Sequence, residues 1–302
     1  MGVPHSAARL SHSVHGLTLR VGDVTRQYGT TVKRRQLGRA LRGLRESAGL
    51  TIDEAAPKLD WSTSKLSRIE NGQQAVDVHG VRSMLDLYDA GGGNWTELIE
   101  LTRECRQRGW WRAYGLNDTG YIPLEAEATR VRDYTLGFVP GLLQTAGYAR
   151  EIFLTSLVRR TETELANVVT VRMIRQHRLT ATENPLELVA LIDEAVLLRP
   201  VGGVPVMRAQ LAHLVAAAEL PTVTLHVLPL SLGARQGLSA SFTLLSFADM
   251  PDLTYVEHPM GAVHMEKEAD VVTATLAFDQ LRSLALNPED SVGLIRRAAE
   301  RL

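Results

Sequence analysis

The sequence has little of what several classes of protein require. Cys105 is its only cysteine, so no internal disulfide can form, and we expect a reducing, cytoplasmic environment. The most apolar long stretch, residues 211–230, is interrupted by polar residues and proline, among them His213, Glu219, Pro221 and His226. A membrane-spanning helix needs about 20 mostly apolar residues, so we expect none. The first residues also lack an apolar run, and we expect no secretory signal.

An excess of charge of one sign is absent as well, because 33 Lys and Arg oppose 34 Asp and Glu for a formal net charge of -1. The charge is uneven along the chain, however. Residues 33–85 contain ten basic and six acidic side chains, residues 1–32 carry +2, and residues 86–302 carry -7. Such asymmetry indicates a module that faces nucleic acid, although a merely solvated basic helix would give the same count.

Length and periodicity divide the chain into three segments. At about 150 residues per domain, the 302 residues predict two domains. Residues 1–32 are rich in Ser, Gly, Thr and His without an apolar period, so we predict a mostly disordered tail. Residues 33–92 are predicted to form a helical domain, and residues 93–302 a helical connector followed by a mixed α/β domain with a small sheet.

The helical domain begins with two helices that have clear boundary signals. From Leu37 onward, apolar residues recur at three- and four-residue spacing until Gly49 ends the first helix. Thr51 and Glu54 have the spacing of a capping box, which starts the second helix. Pro57 removes a backbone donor near its end, so we expect this helix to be shortened or bent.

A third helix completes a helix-turn-helix motif. Ser62 is its predicted N-cap and Asn71-Gly72 its end, and a four-residue turn at 59–62 joins it to the second helix. Two more helices follow, one around residues 78–88 and one that Asn94 caps and that runs to about Arg112. We expect the pair Trp110-Trp111 at the end of this fifth helix to dock on the rest of the protein.

The carboxy-terminal domain mixes helices and strands, so the fold class is predicted to be α+β. The strand–helix–strand order over residues 187–228 predicts a βαβ unit with parallel strands, and residues 241–257 predict an antiparallel hairpin. Helices are predicted at residues 142–154, 162–179, 205–219, 268–286 and 290–301, and strands at 187–192, 222–228, 241–247 and 253–257.

The start of the third helix has side chains suited to reading base edges. In a helix-turn-helix, the first residues of the second helix enter the major groove. Thr63, Ser64 and Lys65 can donate or accept there, and Arg68, one turn further on, can form a fork onto guanine. Helix pairs of this shape also occur in proteins that never touch DNA, so the geometry alone leaves both interpretations open.

Residues 34–90 resemble the XRE, or phage-repressor-type, helix-turn-helix, a five-helix DNA-binding domain. The segments that carry the resemblance are LGRALRGLRESAGLT, the pair Ala55-Ala56 and KLSRIENG. The resemblance implies base reading by Thr63, Ser64, Lys65 and Arg68, and DNA-backbone contacts by Thr51, Ser62 and Asn71. It also implies a structural ion pair between Arg45 and Glu70. To the backbone contacts we add Arg34 and Arg35, because of their charge.

The sequence departs from that family's pattern at three positions. Ile52 stands where a polar residue that contacts phosphate is common, which puts one phosphate contact in doubt. Pro57 replaces an ordinary helix former, and Asp60 occupies a turn position often held by glycine. The last two changes can alter the crossing angle of the helices, but none of the three removes the motif.

The remainder of the chain resembles a second family, the carboxy-terminal domain of unknown function found behind XRE domains in actinobacterial regulators of the WhiJ-like or antitoxin-like group. Its markers are VPGLLQTAGYAR (139–150), LIDEAVLLRPVGG (191–203), MRAQLAHL (207–214) and FTLLSF (242–247). Members of that group often accompany a small partner protein, so the resemblance implies a partner here. It implies no enzyme activity and no cofactor.

Other reactive side chains are better explained by packing than by chemistry. A lone histidine such as His226 in a half-buried strand is expected to be hydrogen-bonded rather than catalytic, because acid–base work needs partners within reach. The acidic residues and histidines that could hold a metal lack compact ligand spacing; they are Asp193, Glu194, Glu257, His258, His264 and Glu266. No phosphate-binding glycine motif is present. We therefore expect no catalytic residue, metal or cofactor.

The pattern as a whole favours a sequence-specific DNA-binding transcription regulator. We expect a repressor that binds a palindromic operator as a homodimer, located in the cytoplasm with the nucleoid, whose carboxy-terminal domain senses a signal or binds a partner. The alternative is an antitoxin-like module that binds a small partner protein and uses DNA binding for autoregulation. Neither hypothesis involves a membrane, and the sequence identifies no small-molecule effector.

Overall fold

The computed structural model describes residues 30–105, 109–117, 120–235, 237–248, 250–258 and 261–302. The tail predicted for residues 1–32 lies outside these ranges except for its last three residues, which begin the first helix. The amino-terminal part is helical, with α1 (Thr30–Ser47), α2 (Ile52–Lys58), α3 (Thr63–Glu70), α4 (Val78–Leu87) and α5 (Gly92–Glu104). A short 3₁₀ helix, Trp110–Tyr114, leads from it to the second part.

The second part is a mixed α/β domain, which confirms the predicted fold class. Its strands are β1 (Arg130–Thr135), β2 (Glu187–Asp193), β3 (Val223–Leu228), β4 (Phe242–Ser246), β5 (Leu253–His258) and β6 (Gly261–Met265). Its α-helices are α6 (Tyr121–Glu127), α7 (Ala146–Leu154), α8 (Glu162–Gln176), α9 (Glu194–Leu198), α10 (Gly203–Ala217), α11 (Glu268–Leu284) and α12 (Pro288–Glu300).

The predicted cap signals are confirmed in the helix-turn-helix. Thr51 caps α2 with both hydrogen bonds of the capping box to Glu54, and the Ser62 side chain accepts from the backbone N–H of Lys65. Helix α2 ends one residue after Pro57, as a proline near a helix end requires. Asp60, at the turn position where glycine is common in the resembling family, has a left-handed backbone with φ +54°.

The fifth helix differs from its prediction at both ends. It begins after Gly91 without a side-chain cap, not at Asn94, and it ends at Glu104 rather than near Arg112. The tryptophans lie in a separate 3₁₀ helix after Gly109, a position where a Cβ would lie 2.1 Å from the Trp111 ring. Both tryptophans pack with Ala126 and Val171 of the second domain, which confirms their predicted docking.

Helix α5 belongs to the core of the amino-terminal unit. Its side chains Leu98 and Ile99, with Cys105 just beyond, are buried among residues of α1, α3 and α4. The packed amino-terminal core therefore continues past residue 92 to Cys105.

The six strands form one sheet in the order β3-β2-β1-β4-β5-β6. Strands β1, β2 and β3 are parallel, while β4, β5 and β6 follow as antiparallel neighbours. The parallel pairing of β2 with β3 and the β4–β5 hairpin are thus confirmed. Strands β1 and β6 were not predicted, because charged residues interrupt the apolar pattern of β1 and β6 is a short, exposed edge strand.

Helices cover both faces of this sheet. On one face the largest core cluster includes Val131, Leu188 and Leu225 from the strands, Leu211 from α10 and Ile295 from α12. On the other face, Phe278 and Leu281 of α11 pack against Tyr134, Val189 and Leu244. Alternate residues of β1 therefore point into different cores, so Asp133 and Thr135 lie on the same face as Val131.

Close packing of α1 on α3 depends on one glycine. A Cβ at Gly38 would lie 2.5 Å from the carbonyl oxygen of Glu70 and 2.6 Å from that of Ile69. Gly43, five residues along the same helix, has no neighbouring atom within 4 Å of its Cβ position. The chain therefore contains a matched pair of helical glycines that differ only in packing.

Substituting the two glycines should shift stability in opposite directions. Gly38→Ala must push α1 away from α3, and overpacking of this kind costs about 1–3 kcal/mol. Gly43→Ala should stabilise by about 0.5–1 kcal/mol, because alanine loses less backbone entropy in a helix. Urea unfolding followed by circular dichroism measures both. Equal effects of the two substitutions would show that α1 and α3 are not packed this closely.

Candidate nucleic-acid interface

Helix α3 separates its side chains into a buried face and an exposed face. Leu66, Ile69 and Glu70 are buried against the rest of the helical domain. Thr63, Ser64 and Arg68, three of the four predicted base-reading residues, are exposed. Burial of the apolar face therefore fixes the helix in an orientation that leaves its hydroxyl and guanidinium groups accessible. This arrangement suits entry into a major groove.

Lys65, the fourth predicted base-reading residue, is half-buried because it folds back on an aromatic ring. Its Nζ atom lies 3.9 Å from the centroid of the Trp61 ring, a cation–π distance. Trp61 lies in the turn before α3 and was not among the predicted site residues. The only available signal was an aromatic residue four positions before a lysine, which is too common to single out a site.

A neighbouring glutamine orients Arg68. The Nε atom of Arg68 donates to Oε1 of Gln74 at 3.1 Å, so this hydrogen bond uses none of the Nη donors of the exposed guanidinium. Gln74 follows the helix and was not among the predicted site residues. Its contact with Arg68 depends on how the chain turns after Gly72, where φ is +67°.

The residues predicted to contact the DNA backbone, Thr51, Ser62 and Asn71, are exposed and flank the two helices of the motif. The backbone N–H and the hydroxyl of Thr51 each donate to Glu54 at 2.8 Å, and these hydrogen bonds, the backbone one foremost, lower the pKa of the Glu54 carboxyl. The Ser62 hydroxyl accepts from the N–H of Lys65 at 3.2 Å, which leaves its own hydrogen able to reach a phosphate. Asn71 Nδ2 donates to Ser67 at 3.3 Å.

A buried ion pair fixes α3 to α1. Arg45 donates from Nε and Nη2 to the two carboxylate oxygens of Glu70, at 2.7 and 2.9 Å, and the hydrogen bonds with Glu70 raise the pKa of Arg45. A third donor, Nη1, reaches the carbonyl oxygen of Leu50 at 2.7 Å. This is the pair that the family resemblance implied, and it sets the orientation of the recognition helix.

Arg35, one of the two arginines predicted to contact the DNA backbone, lies at the junction with the second domain, and a DNA contact by the other, Arg34, stays a prediction. Arg35 forms an ion pair with Glu266, just after β6, and its Nη2 lies 2.7 Å from Nδ1 of His264. A Cβ at Gly72 would lie 2.7 Å from Cγ of Arg35, so this arginine is near the end of α3 remote from Thr63. In this arrangement Arg35 holds the two domains together, and its contact with DNA stays a prediction.

The structure separates the other residues that sequence reasoning weighed. His226 uses Nδ1 to reach the carbonyl oxygen of Leu286 at 2.8 Å, as a packed histidine does. Asp193 caps α9 and pairs with Arg235, far along the sheet from His264 and Glu266 at the domain junction. Within the described residues, no group of three metal-ligating side chains comes together, and no helix has the length and apolar character needed to span a membrane.

These features define a helix-turn-helix protein. Comparison with known families agrees, since residues 36–98 match the model described as "Helix-turn-helix domain". The domain suggests DNA binding and a role in transcription regulation.

A second family model covers most of the remaining chain. Residues 119–297, more than half of the chain, match the model described as "Domain of unknown function (DUF5753)". The chain therefore belongs to the DUF5753 family and has a helix-turn-helix domain in front. No curated protein and no solved structure matches it.

Replacing Arg68 should separate base reading from general charge. Arg68→Ala is expected to cost about 1–3 kcal/mol of operator affinity and to relax the preference at one base position. Arg42→Ala is the matched control, because Arg42 is exposed on α1 and pairs with Glu46 within its own helix. Sequence logos from selected DNA measure both variants. An unchanged logo for Arg68→Ala would show that this side chain reads no base.

Removing one charge of the buried ion pair should destabilise the helical domain more than removing both charges. Arg45→Met leaves the Glu70 carboxylate buried and uncompensated, at a cost of about 3–5 kcal/mol. The double variant Arg45→Met with Glu70→Met removes both charges and should recover much of that loss. Denaturant unfolding of the three proteins provides the comparison. A double variant no more stable than Arg45→Met would show that the penalty is not an unpaired charge.

Proposed function

We propose that the protein is a sequence-specific transcriptional repressor of the XRE type, which binds a palindromic operator as a dimer and whose carboxy-terminal domain senses a signal. The observation that carries the proposal is the exposed face of α3, which presents Thr63, Ser64 and Arg68. The opposite face of the helix is buried, and the Arg45–Glu70 pair fixes it in place. The proposal includes no enzymatic activity.

The charge distribution supports dependence on specific contacts. Residues 86–302 carry a net charge of -7, which repels the DNA backbone and weakens the non-specific part of binding. Affinity for the operator then has to come from contacts with base edges and from the simultaneous binding of the two recognition helices of a dimer. Two half-sites one helical turn apart, about 34 Å, would be read by a symmetric dimer.

Contacts between the domains support a sensing role for the second domain. Near its start, helix α1 is held to the second domain by Arg35, which contacts His264 and Glu266. A change in the position of β6 would therefore act on the helix that packs against the recognition helix. This is a physical connection between a signal in the sheet and the DNA-facing surface.

An exposed apolar surface beside β6 supports dimerisation. Val263 of β6 and Val272 and Leu276 of α11 are 46%, 50% and 66% exposed, and Val263 points to the face of the sheet that α11 covers. Helix α11 buries only Phe278 and Leu281 among its 17 residues. A second copy of the chain would cover this surface, which we call the α11 surface.

A charge on the α11 surface should prevent dimer formation. Leu276→Asp is expected to raise the dimer dissociation constant by about 30-fold or more, equivalent to about 2 kcal/mol, and to weaken binding to a two-half-site operator. Leu157→Asp, at an apolar position that is 91% exposed elsewhere, is the matched control and should stay dimeric. Sedimentation velocity measures both, and dimers in both variants would exclude this surface.

Selection from a random DNA library with the purified full-length protein tests the function itself. We expect an inverted-repeat consensus, and a reporter placed behind it should be silenced when the protein is present. Enrichment of no sequence would contradict specific binding. A consensus without symmetry would contradict the dimer, and activation of the reporter would contradict repression.

An antitoxin-like role is the second candidate, and one observation favours it. Leu154, Leu157 and Val158 form an apolar segment at the end of α7, with exposures of 51%, 91% and 61%. Such a segment is typical of a surface that another protein covers. If a co-purified small protein releases the operator and Leu157→Asp abolishes its capture, this role is favoured. Operator binding indifferent to any co-purified protein would favour the repressor alone.

A further inference from the structure

A cleft of about 710 Å³ lies in the second domain, a size typical of small-molecule sites. Its floor is the face of the sheet formed by Asp133 and Thr135 of β1, Thr243 of β4, and Tyr255 and Glu257 of β5. Helices α6 and α8 and the segment 137–142 form the walls.

The topology of the sheet creates this cleft. From β1 the chain proceeds to β2 and β3 on one side, and β4 then returns to pair on the other side of β1. The carboxyl end of β1 and the start of β4 lie at the same edge because these strands are antiparallel. Open α/β sheets bind ligands where the strand order reverses in this way.

Arg172 lines the cleft without an ion pair among the described residues, although the charges of Glu125 and Glu257 act on its guanidinium in the direction that raises its pKa. Its Nη1 donates to Oε1 of Gln144 at 2.6 Å, while its Nε is buried without a hydrogen-bond partner among the described residues. No carboxylate of those residues comes within 4.0 Å of its guanidinium. Burial and the neighbouring charge of Arg175 lower the pKa of Arg172 to about 9. The guanidinium is still charged at neutral pH, and an anion beside it would offset the cost of its burial.

The neighbouring Arg175, in contrast to Arg172, forms an ion pair. Its Nε and Nη2 donate to the two carboxylate oxygens of Glu125 at 2.7 and 2.5 Å, so its charge is compensated within the protein. This buried pair fixes α8 against α6 and keeps the wall of the cleft in place. Arg172, one turn earlier on α8, is thereby held at the cleft surface.

Aromatic rings surround Arg172 and continue along the cleft. The guanidinium carbon of Arg172 lies 4.6 Å from the centroid of the Phe153 ring, and that of Arg160 lies 5.4 Å from the same ring. The rings of Tyr121 and Tyr255, also in the lining, contact each other at a tilt of 56°, with centroids 5.0 Å apart. A flat apolar body would find ring surfaces on several sides.

Two acidic side chains, Asp133 and Glu257, also line the cleft. Asp133 accepts a hydrogen bond from the Thr243 hydroxyl at 2.8 Å, and burial raises its pKa to about 6. Glu257 lies on the same face of the sheet and is exposed. These carboxylates disfavour a second anionic group and suit a hydroxyl or amine donor.

We propose that this cleft binds a small organic anion. Arg172 holds a single carboxylate, sulfonate or phosphate group, the flat apolar body packs against Phe153, Tyr121 and Tyr255, and a donor group on the ligand faces Asp133. The inference deepens the proposed sensing role and rests on it for its biological meaning. The link is that the Tyr255 ring contacts the His264 ring, with centroids 5.1 Å apart, and His264 contacts Arg35. The binding site itself does not depend on DNA.

A pair of fluorescent probes that differ in charge tests the site. 1-Anilinonaphthalene-8-sulfonate is a flat aromatic anion, and N-phenyl-1-naphthylamine is the same body without the sulfonate. We expect the full-length protein to bind the anionic probe saturably at one site. Arg172→Met should weaken that binding about tenfold or more and leave binding of the neutral probe unchanged. Arg150→Met is the matched control, since Arg150 is exposed outside the cleft and pairs with Glu162.

Competition on the unaltered protein keeps the proposal testable if Arg172→Met fails to fold. Benzoate should displace the anionic probe, and the neutral isostere benzamide should not. Equal displacement by both, full retention of the anionic probe in Arg172→Met, or no saturable binding would overturn the proposal. The assay contains no DNA, so failure of the operator selection would refute the proposed repressor without affecting this result.

Discussion

The buried ion pair between Arg45 and Glu70 is the interaction on which the DNA-facing surface depends. A carboxylate at the end of the recognition helix is tolerated inside the domain only because both its oxygens accept from one guanidinium. The same arginine reaches Leu50 and so holds the turn between α1 and α2. Gly38 lets α1 come close enough for this geometry. Three helices are thereby fixed relative to one another, and the exposed edge of α3 follows from their arrangement.

A second constraint organises the other domain. Strand β1 pairs in parallel with β2 and antiparallel with β4, and this reversal opens the cleft at the carboxyl end of β1. The sheet then continues through β5 to β6, whose His264, with Glu266 just beyond it, meets Arg35 of α1. The cleft and the helix-turn-helix are therefore two ends of one packed structure. A ligand that shifted Tyr255 would act within two contacts of the first helix.

Much of the amino-terminal domain could be predicted because its signals are local. Capping boxes, helix-ending glycines and apolar spacing act within one or two turns, so the boundaries of α2, α3 and α4 agree with prediction to within a residue or two. Strand β1 was missed because a strand with Arg130, Arg132 and Asp133 looks polar until its neighbours are known. The partner of Arg68 was missed for a similar reason, since Gln74 reaches it through the turn after α3.

By itself, the sequence determined the helix-turn-helix, the division into a basic and an acidic part, and the α+β class, since each depends on periodicity or on composition along a short stretch. Only the tertiary structure decided which charges meet. In the structure Arg35 lies at the domain junction, Arg175 is paired with Glu125, and Arg172 forms no ion pair among the described residues. These outcomes join residues that are distant in the chain, and the burial of a charge depends on everything packed around it. For this reason the cleft and the environment of Arg172 have no signature in the sequence alone.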